Sequence, residues 1–262
     1  MKFRLKLFSL HLLCSVAALT LVLGVLYLGW YRWPGWYLAN ALRVVPILVA
    51  VDAALGPLLT LLIANPLKSR RELGRDIAII VTVQLAALAY GASTLWHGRP
   101  LYYTYSEDRL QIVQASDLDP HEMALAREQN PQFAPLWYSL PRWVWAPLPE
   151  QESARMEILQ SAVGGGDDVI QMPRHFQAWE RGLPKLREHL LTVDQQRDLG
   201  FYRKKPRLKQ LMVERGFAPD EPVTMIMAGR SPPLLAVFDR TTLQVKAYLR
   251  SDFEIPRPRS PK

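Results

Sequence analysis

The chain has 262 residues, 49% of them hydrophobic, and a formal net charge of +8 at pH 7. Residues 1–98 carry 9 Lys and Arg against 3 Asp and Glu, whereas residues 99–262 carry 23 against 21. Most of the positive excess therefore lies in the N-terminal part, which removes the main support for nucleic acid as a partner. A mean hydropathy of −0.02 suits a small membrane module joined to a water-exposed domain.

Three apolar runs, at about residues 7–30, 44–64 and 77–95, are predicted to be transmembrane helices. At about 1.5 Å of rise per residue, each run approaches or exceeds the ~30 Å thickness of the hydrocarbon core. The first run is longer than the roughly 7–15 apolar residues of a signal peptide, which favours an uncleaved anchor over a cleaved signal. We therefore expect a membrane module over residues 1–98 and a second domain over residues 99–262.

The distribution of basic residues predicts the orientation of these spans. The N-terminus and the segment between the second and third runs together hold seven basic residues, and the segment between the first and second holds two. An excess of Lys and Arg marks the cytoplasmic side. In a bacterial inner membrane, the N-terminus would be cytoplasmic and residues 99–262 periplasmic. The topology determinants in the inner segment are Lys68, Arg70, Arg71 and Arg75.

Asp52 is the most informative polar residue within the spans. An ionisable side chain at bilayer depth costs about 3 kcal/mol on insertion scales, so it usually faces a protein partner or a polar cavity. Asp52 and Gln84 are predicted to lie within about one helical turn in depth, which permits a hydrogen bond between the second and third helices. Pro57 removes a backbone donor and is expected to free the carbonyl of Ala53, while Gly56 permits close helix approach.

Three interpretations of Asp52, Gly56, Pro57 and Gln84 remain open from the residues alone. They form an interhelical polar cluster that only packs the module, or Asp52 meets a positive group on a partner helix. The third interpretation is proton or ion transport, but a relay normally chains several ionisable groups.

The second domain is predicted to be α+β, with strands at both ends and helices between them. Strands are expected at 100–106 and 110–115, forming a hairpin around residues 107–109, and at 223–228, 234–238 and 243–249. The last two strands flank residues 239–242, which are predicted to form a second hairpin turn. Helices are expected at 119–129, 149–163, 174–181, 184–191 and 205–215, with an irregular segment over 130–149.

Catalytic, metal and cofactor motifs are not recognisable in this domain. The glycine-rich segment at residues 164–168 lacks the Gly-Lys-Ser/Thr of a phosphate-binding loop, and His121-Glu122 lacks the second His of a zincin. We therefore predict a protein that is not an enzyme and takes no cofactor. The basic run at residues 203–209 is typical of a solvated face, with contact to anionic lipid or an acidic protein patch as the alternative.

Residues 51–76 read, in order, Val-Asp, Leu-Gly-Pro-Leu-Leu-Thr-Leu, Asn-Pro, Lys-Ser-Arg, Glu-Leu and Arg-Asp. The segments at 84–91, 99–100, 108–109 and 115–117 continue the same pattern. The N-terminal half of the chain thereby resembles the type IV pilin accessory proteins (the TfpX/TfpZ group). Beyond about residue 119, the resemblance is limited to overall length and the terminal strands.

The resemblance implies a non-enzymatic inner-membrane helper of type IV pilus biogenesis that acts on the pilin subunit, its assembly or its retraction. The partners it implies are the pilin subunit, other pilus assembly proteins and the lipid bilayer. Mature pilins resemble one another in carrying a charged amine and a carboxylate at the start of their hydrophobic helix, and Asp52 is a candidate contact for that amine. The alternatives are a small membrane transporter or enzyme that uses Asp52, and a membrane protein with a periplasmic ligand-binding domain.

Overall fold

The computed structural model describes residues 2–107, 109–198 and 205–250. The chain divides into two compact units, Met1–Arg99 and Pro100–Lys262. The first unit contains three helices that are long and apolar enough to cross a membrane, at Lys2–Gly29, Ala41–Ile63 and Arg70–His97. The prediction of three N-terminal spans followed by an α+β domain is confirmed.

The second span differs from the first and third because it is not one regular helix. The unit begins with α1 (Lys2–Gly29) and the short α2 (Gly35–Leu38). The second span then consists of a 3-10 turn (Ala41–Arg43), α3 (Val45–Val49), a π-helical turn (Ala50–Leu55) and α4 (Gly56–Ile63). The third span is α5 (Arg70–His97). Single π turns of this kind are rare and are frequently found at functional sites.

Helix α5 begins earlier than the apolar pattern predicts. The Ser69 hydroxyl accepts a hydrogen bond from the backbone N–H of Glu72 at 3.2 Å, and the Glu72 carboxylate accepts one from the N–H of Ser69 at 3.0 Å. This reciprocal capping box satisfies backbone donors at the helix start. Arg70, Arg71 and Arg75 therefore lie in the first turns of α5, whereas the sequence pattern placed them in the connecting segment.

The second unit is built on one seven-stranded mixed sheet with the order β4-β3-β1-β2-β5-β6-β7. The strands are β1 (Pro100–Ser106), β2 (Arg109–Gln114), β3 (Arg142–Trp145), β4 (Gln177–Ala178), β5 (Thr224–Ala228), β6 (Leu234–Phe238) and β7 (Val245–Arg250). The helices are α6 (Pro120–Gln129), α7 (Glu152–Val163), α8 (Trp179–His189), α9 (Val193–Asp198) and α10 (Lys205–Glu214). Short 3-10 turns occur at Ala115–Asp117, Val169–Gln171 and Pro173–His175.

The two predicted hairpins are present in this sheet. Strands β1 and β2 pair antiparallel, and so do β6 and β7. Asp108, in the predicted turn of the first hairpin, lies outside the described residues. In the second, the backbone N–H groups of Thr241 and Thr242 donate to the Asp239 carboxylate at 2.8 and 2.7 Å, which closes the turn.

The structure differs from the sequence prediction in three segments. The segment expected to be irregular contains β3, which pairs parallel to β1 and has prolines on both sides. The two helices expected at 174–181 and 184–191 are instead a 3-10 turn, the two-residue strand β4 and the single helix α8. Pro184 lies inside α8, where the sequence pattern predicts a break. The short helix α9 was not predicted.

Two buried hydrophobic clusters stabilise the sheet. One joins β1, β2 and β3 to the helices and turns that follow them, and it contains Leu101, Tyr102, Val113, Val144, Ile158 and Phe176. The other joins the C-terminal strands to α9 and α10, and it contains Val193, Leu208, Met212, Leu235 and Val237. Every residue of β1 is buried, which is typical of a central strand.

The basic run at residues 203–209 is only partly within the described residues, because residues 203 and 204 lie outside them. Its last member, Lys209, places its Nζ 2.6 Å from the Asp194 carboxylate of α9. This contact ties α10 to α9, and both partners are partly exposed, so it adds little to the free energy of unfolding.

Candidate functional site

Asp52 lies in the π-helical turn and is buried, with a 4% exposed fraction. The side-chain Nε2 of Gln84 in α5 donates a hydrogen bond to the backbone carbonyl of Asp52 at 3.1 Å. The structure therefore places a polar contact between the second and third spans at the predicted residues. Its acceptor is the backbone carbonyl of Asp52, whereas the sequence argument considered the Asp52 side chain.

The π turn explains why this carbonyl needs a partner from outside its own helix. The N–H of Gly56, which an α-helix would direct to the carbonyl of Asp52, bonds to that of Val51 instead. Pro57 has no N–H with which to replace it. The carbonyl of Asp52 is thus left without a backbone donor, and the freed carbonyl that the sequence predicts at Ala53 stays a prediction. Gln84 satisfies the Asp52 carbonyl, as a buried carbonyl requires.

Gly56 provides the space that the Gln84 side chain occupies. A Cβ atom built on Gly56 would overlap the amide nitrogen, carbon and oxygen of Gln84. Small residues at such positions let membrane helices approach closely. Asp52, Gly56 and Gln84 of the predicted set therefore lie together, and Pro57 follows Gly56 directly in the chain.

Asp52 and Gln84 of this cluster line a small cleft between α1 and α5. The cleft has a volume of about 180 Å³. Helix α1 contributes His11, Cys14, Ser15 and Ala18, and α5 contributes Val81, Gln84, Leu85 and Leu88, with Asp52 from the second span. Cys14 and Leu85 are exposed on the protein surface, so the cleft opens towards the surface that the lipid would cover. Three of the α1 residues are small, which leaves room for a neighbouring helix.

Two buried acceptor oxygens lie at this cleft without a partner. Neither the Asp52 Oδ2 nor the Gln84 Oε1 has a hydrogen-bond partner in the part of the chain that the structure describes. The orientation of the Gln84 amide is fixed because only its NH₂ group can donate to the Asp52 carbonyl. The arrangement therefore leaves a carboxylate oxygen and an amide oxygen buried beside each other with unused acceptor capacity. An ammonium group, with three donors and a positive charge, has the matching chemistry.

His11 and Thr60 belong to the same region but were not predicted as site residues. The Nδ1 of His11 lies 2.6 Å from the Thr60 hydroxyl, which links α1 to α4. Thr60 is buried, with a 1% exposed fraction. The two residues are 49 positions apart in the sequence, so no local pattern connects them. A polar residue in each of two apolar runs is the only signal that the sequence offers for this pair.

The predicted topology determinants lie on the surface of the first unit. Arg70, Arg71 and Arg75 are exposed, and Lys68 places its Nζ 2.7 Å from the carboxylate of Asp76. None of these residues lines the cleft beside Asp52.

Aromatic residues form a packed cluster at the end of the spans that lies away from the basic residues at 68–75. The rings of Trp30 and Trp96 meet edge to face at 5.0 Å, and the Tyr31 hydroxyl donates to the carbonyl of Leu95 at 2.6 Å. Trp33 and Tyr37 pack with centroids 5.9 Å apart. Tyr and Trp are enriched where membranes meet water, because one part of each ring system is apolar and another is polar.

The second unit contains a larger cleft of about 780 Å³. Its wall combines the aromatic side chains Tyr105, Trp145 and Phe176 with the basic side chains Arg155, Arg174 and Lys185, and it includes His175 and His189. The Tyr105 hydroxyl lies 2.8 Å from the Nδ1 of His189. Sequence analysis did not identify this cleft, because its residues come from four separate segments of the chain.

Burial shifts the pKa values of two titratable side chains, His175 and Glu122, that contact or adjoin Arg174 of this cleft. Burial lowers the pKa of His175 from 6.5, and the neighbouring Arg174 guanidinium lowers it further. Burial raises the pKa of the Glu122 carboxyl above 4.5, whereas Arg174, whose Nε lies 3.2 Å from it, counters that rise. His121, considered with Glu122 as part of a metal motif, is exposed. Among the described residues, no group of three or more His, Cys, Asp or Glu side chains is arranged to hold a metal ion.

The fold and the cleft together define a class of protein with three helices long and apolar enough to cross a membrane. A buried carboxylate lies among these helices, and a mixed helix and sheet domain follows them. The chain is similar to two fimbrial assembly proteins of Dichelobacter nodosus, of serogroups I and E1. Each is 25% identical over 263 residues, which covers 94% of this chain and 96% of the relative.

A third relative is the fimbrial assembly protein of serogroups C1 and C2 of the same organism. It is 28% identical over 116 residues, or 44% of this chain and 88% of the relative. No family model matches the chain, and no solved structure matches it significantly. The similarities to these relatives support a role in pilus biogenesis.

Proposed function

We propose that this protein is a non-enzymatic accessory protein of type IV pilus biogenesis, located in the bacterial inner membrane, that acts on the pilin subunit. The observation that carries the proposal is similarity to fimbrial assembly proteins over 94% of the chain. The resemblance of residues 51–76 to the TfpX/TfpZ group narrows the assembly role to pilin. The domain after Arg99 is periplasmic in this proposal, and it contacts the globular part of the same subunit.

The cleft beside Asp52 is the proposed contact for the hydrophobic helix of pilin. A helix that carries an amine at its start must keep a positive charge at bilayer depth, which costs about 3 kcal/mol when no partner is present. The Asp52 carboxylate offers an opposite charge, and the unpartnered Gln84 Oε1 offers a second acceptor. The open side of the cleft gives a helix access from the lipid.

Asp52→Asn tests this contact because it removes the charge and keeps the size of the side chain. If the pair offsets about 3 kcal/mol, the affinity for pilin falls roughly 100-fold. Photo-crosslinking from Leu88, which lines the cleft, measures pilin contact, and surface pilus counts measure the outcome. The matched control is Asp76→Asn, which removes a carboxylate away from the cleft.

Reduced crosslinking and piliation with Asp52→Asn, at normal protein abundance and with Asp76→Asn unaffected, is the expected result. Unchanged crosslinking and piliation in the Asp52→Asn variant would leave the cluster as a packing device and remove the proposed contact. A pH-dependent ion flux that disappears with Asp52 would instead favour transport.

The proposed orientation has its own test. A phosphatase fused after Arg99 is active only in the periplasm, so we expect activity there. A fusion after Ser69, between the second and third spans, is the inactive control. An inactive fusion after Arg99 with an active one after Ser69 would reverse the orientation.

The 780 Å³ cleft favours a second candidate function, ligand binding by the domain after Arg99. Its volume lies in the range of about 300–1,000 Å³ that is typical of small-molecule sites. The double variant Arg155→Ala/Lys185→Ala separates the two candidates. Loss of piliation with intact pilin crosslinking from Leu88 would favour ligand binding, and full function would exclude a required ligand at these two residues.

A further inference from the structure

An exposed apolar loop precedes β3 in the second unit. Its large side chains have exposed fractions of 53% for Leu136, 73% for Trp137, 56% for Tyr138 and 59% for Leu140. Residues 131–141 contain no charged side chain. Scattered exposed apolar residues are normal on protein surfaces, but a contiguous set of this kind marks an interaction surface.

The loop holds these side chains outward in a defined turn. The Ser139 hydroxyl accepts a hydrogen bond from the N–H of Leu136 at 2.9 Å, and the Ser139 N–H donates to the Leu136 carbonyl at 3.0 Å. The rings of Trp137 and Tyr138 meet edge to face, with centroids 5.4 Å apart. These two hydrogen bonds close the turn between Leu136 and Ser139, and the four large side chains remain exposed.

The register of the sheet shows at which end of the domain the loop lies. Strand β3 runs parallel to β1, with Arg142 opposite Tyr102. The residues just before Arg142 therefore lie at the end of the sheet where β1 begins. Strand β1 begins at Pro100, and only Gly98 and Arg99 separate it from the end of α5 at His97. Two residues span at most about 7–10 Å, so the start of β1 is tethered within that distance of the end of α5.

We propose that the loop at residues 136–140 inserts into the interfacial region of the bilayer that α5 crosses. Trp137 and Tyr138 are the residue types enriched at that depth, where an apolar ring and a polar N–H or O–H are both accommodated. Leu136 and Leu140 extend the contact towards the acyl chains. The lack of charge over residues 131–141 removes the main penalty for leaving water. The inference depends on membrane insertion of the three spans and is independent of the proposed pilin contact.

The test uses the full chain in lipid vesicles, with single cysteines that carry an environment-sensitive fluorophore. Cys14 is the one cysteine of the sequence and is replaced by Ala in every variant. Trp137→Cys reports on the loop. Glu150→Cys is the control, because Glu150 is exposed and follows the opposite end of β3. Lipids with brominated acyl chains quench only a fluorophore that enters the bilayer.

We expect a blue-shifted emission at position 137 and a loss of its fluorescence in brominated lipid, with neither change at position 150. A water-like emission at both positions would overturn the proposal. A blue shift at 137 without quenching by brominated lipid would also overturn it and would indicate a protein partner on the loop. A second variant, Leu136→Ser/Leu140→Ser, carries the fluorophore at position 138. It should lose the quenching by brominated lipid and retain the thermal unfolding midpoint of the domain. Quenching that persists in this variant would contradict the role of the two leucines.

Discussion

The contact between Gly91 and Leu48 should determine how closely the second and third spans pack. A Cβ atom on Gly91 would overlap the Cγ and both methyl groups of Leu48, which has a 4% exposed fraction. Gly91→Ala therefore adds a methyl group where the two helices have no free space. Gly74 provides a matched control in the same helix, because nothing lies within 4 Å of a Cβ atom at that position.

The two substitutions share the intrinsic preference of helices for Ala over Gly, which stabilises by up to about 1 kcal/mol. They differ in packing, since inserting a methyl group into a filled interior destabilises by about 1–3 kcal/mol. We therefore expect Gly91→Ala to have a free energy of unfolding about 1–3 kcal/mol below that of Gly74→Ala. Unfolding of the full chain in mixed micelles with increasing dodecyl sulfate, followed by circular dichroism, measures this difference.

A second substitution tests whether Leu48 is the cause. In the Gly91→Ala background, Leu48→Ala removes the overlapping group, so the two changes should couple favourably in a double-mutant cycle. Equal unfolding midpoints for Gly91→Ala and Gly74→Ala would refute close packing at this crossing. An unfavourable or absent coupling would show that Leu48 is not the obstructing group.

Two further predictions concern the second unit. Tyr102→Phe should lower the free energy of unfolding of this unit by about 1–3 kcal/mol in denaturant, because the buried hydroxyl donates to the Phe133 carbonyl at 2.5 Å. An equal decrease in Tyr103→Phe would contradict this explanation. His175→Gln should reduce the decrease in the free energy of unfolding as pH falls below 6.5. The pKa of His175 in the folded state lies below that value, so the unfolded chain takes up the proton first and is favoured by acid. An unchanged pH profile would exclude His175 as the titrating group.

The sequence predicts the spans well because length and apolar composition are sufficient to cross a bilayer. It also predicts the terminal hairpins, whose strands are rich in aromatic and aliphatic residues and are joined by polar turns. Strand β3 was missed because prolines at 141 and 147 confine it to four residues, and its pairing with β1 depends on residues about 40 positions away. Helix α8 continues through Pro184 against the local preference of proline, and it buries Gly182 and Leu186 on either side of that residue.

Within the candidate site, relative depth was sufficient to bring Asp52 and Gln84 together. The identity of the acceptor was not predictable, because it depends on a change from α-helical to π-helical hydrogen bonding over a single turn. The contact of His11 with Thr60 depends on how α1 is rotated against α4, and no local pattern encodes that rotation. The functional role assigned to the cluster stays a prediction.

The π turn also has a consequence for the spacing of buried residues along the second span. Leu48, Asp52, Gly56 and Thr60 are all buried, and they recur at every fourth position. In a regular α-helix, such a repeat would rotate about 40° per step and leave the interface within three steps. The π turn has more residues per turn, which offsets part of this rotation. The four residues therefore stay on one side of the span, where they contact Gly91 and Gln84 of α5 and His11 of α1. The π turn therefore keeps a four-residue repeat of buried residues in the interface along a span that is otherwise mostly α-helical.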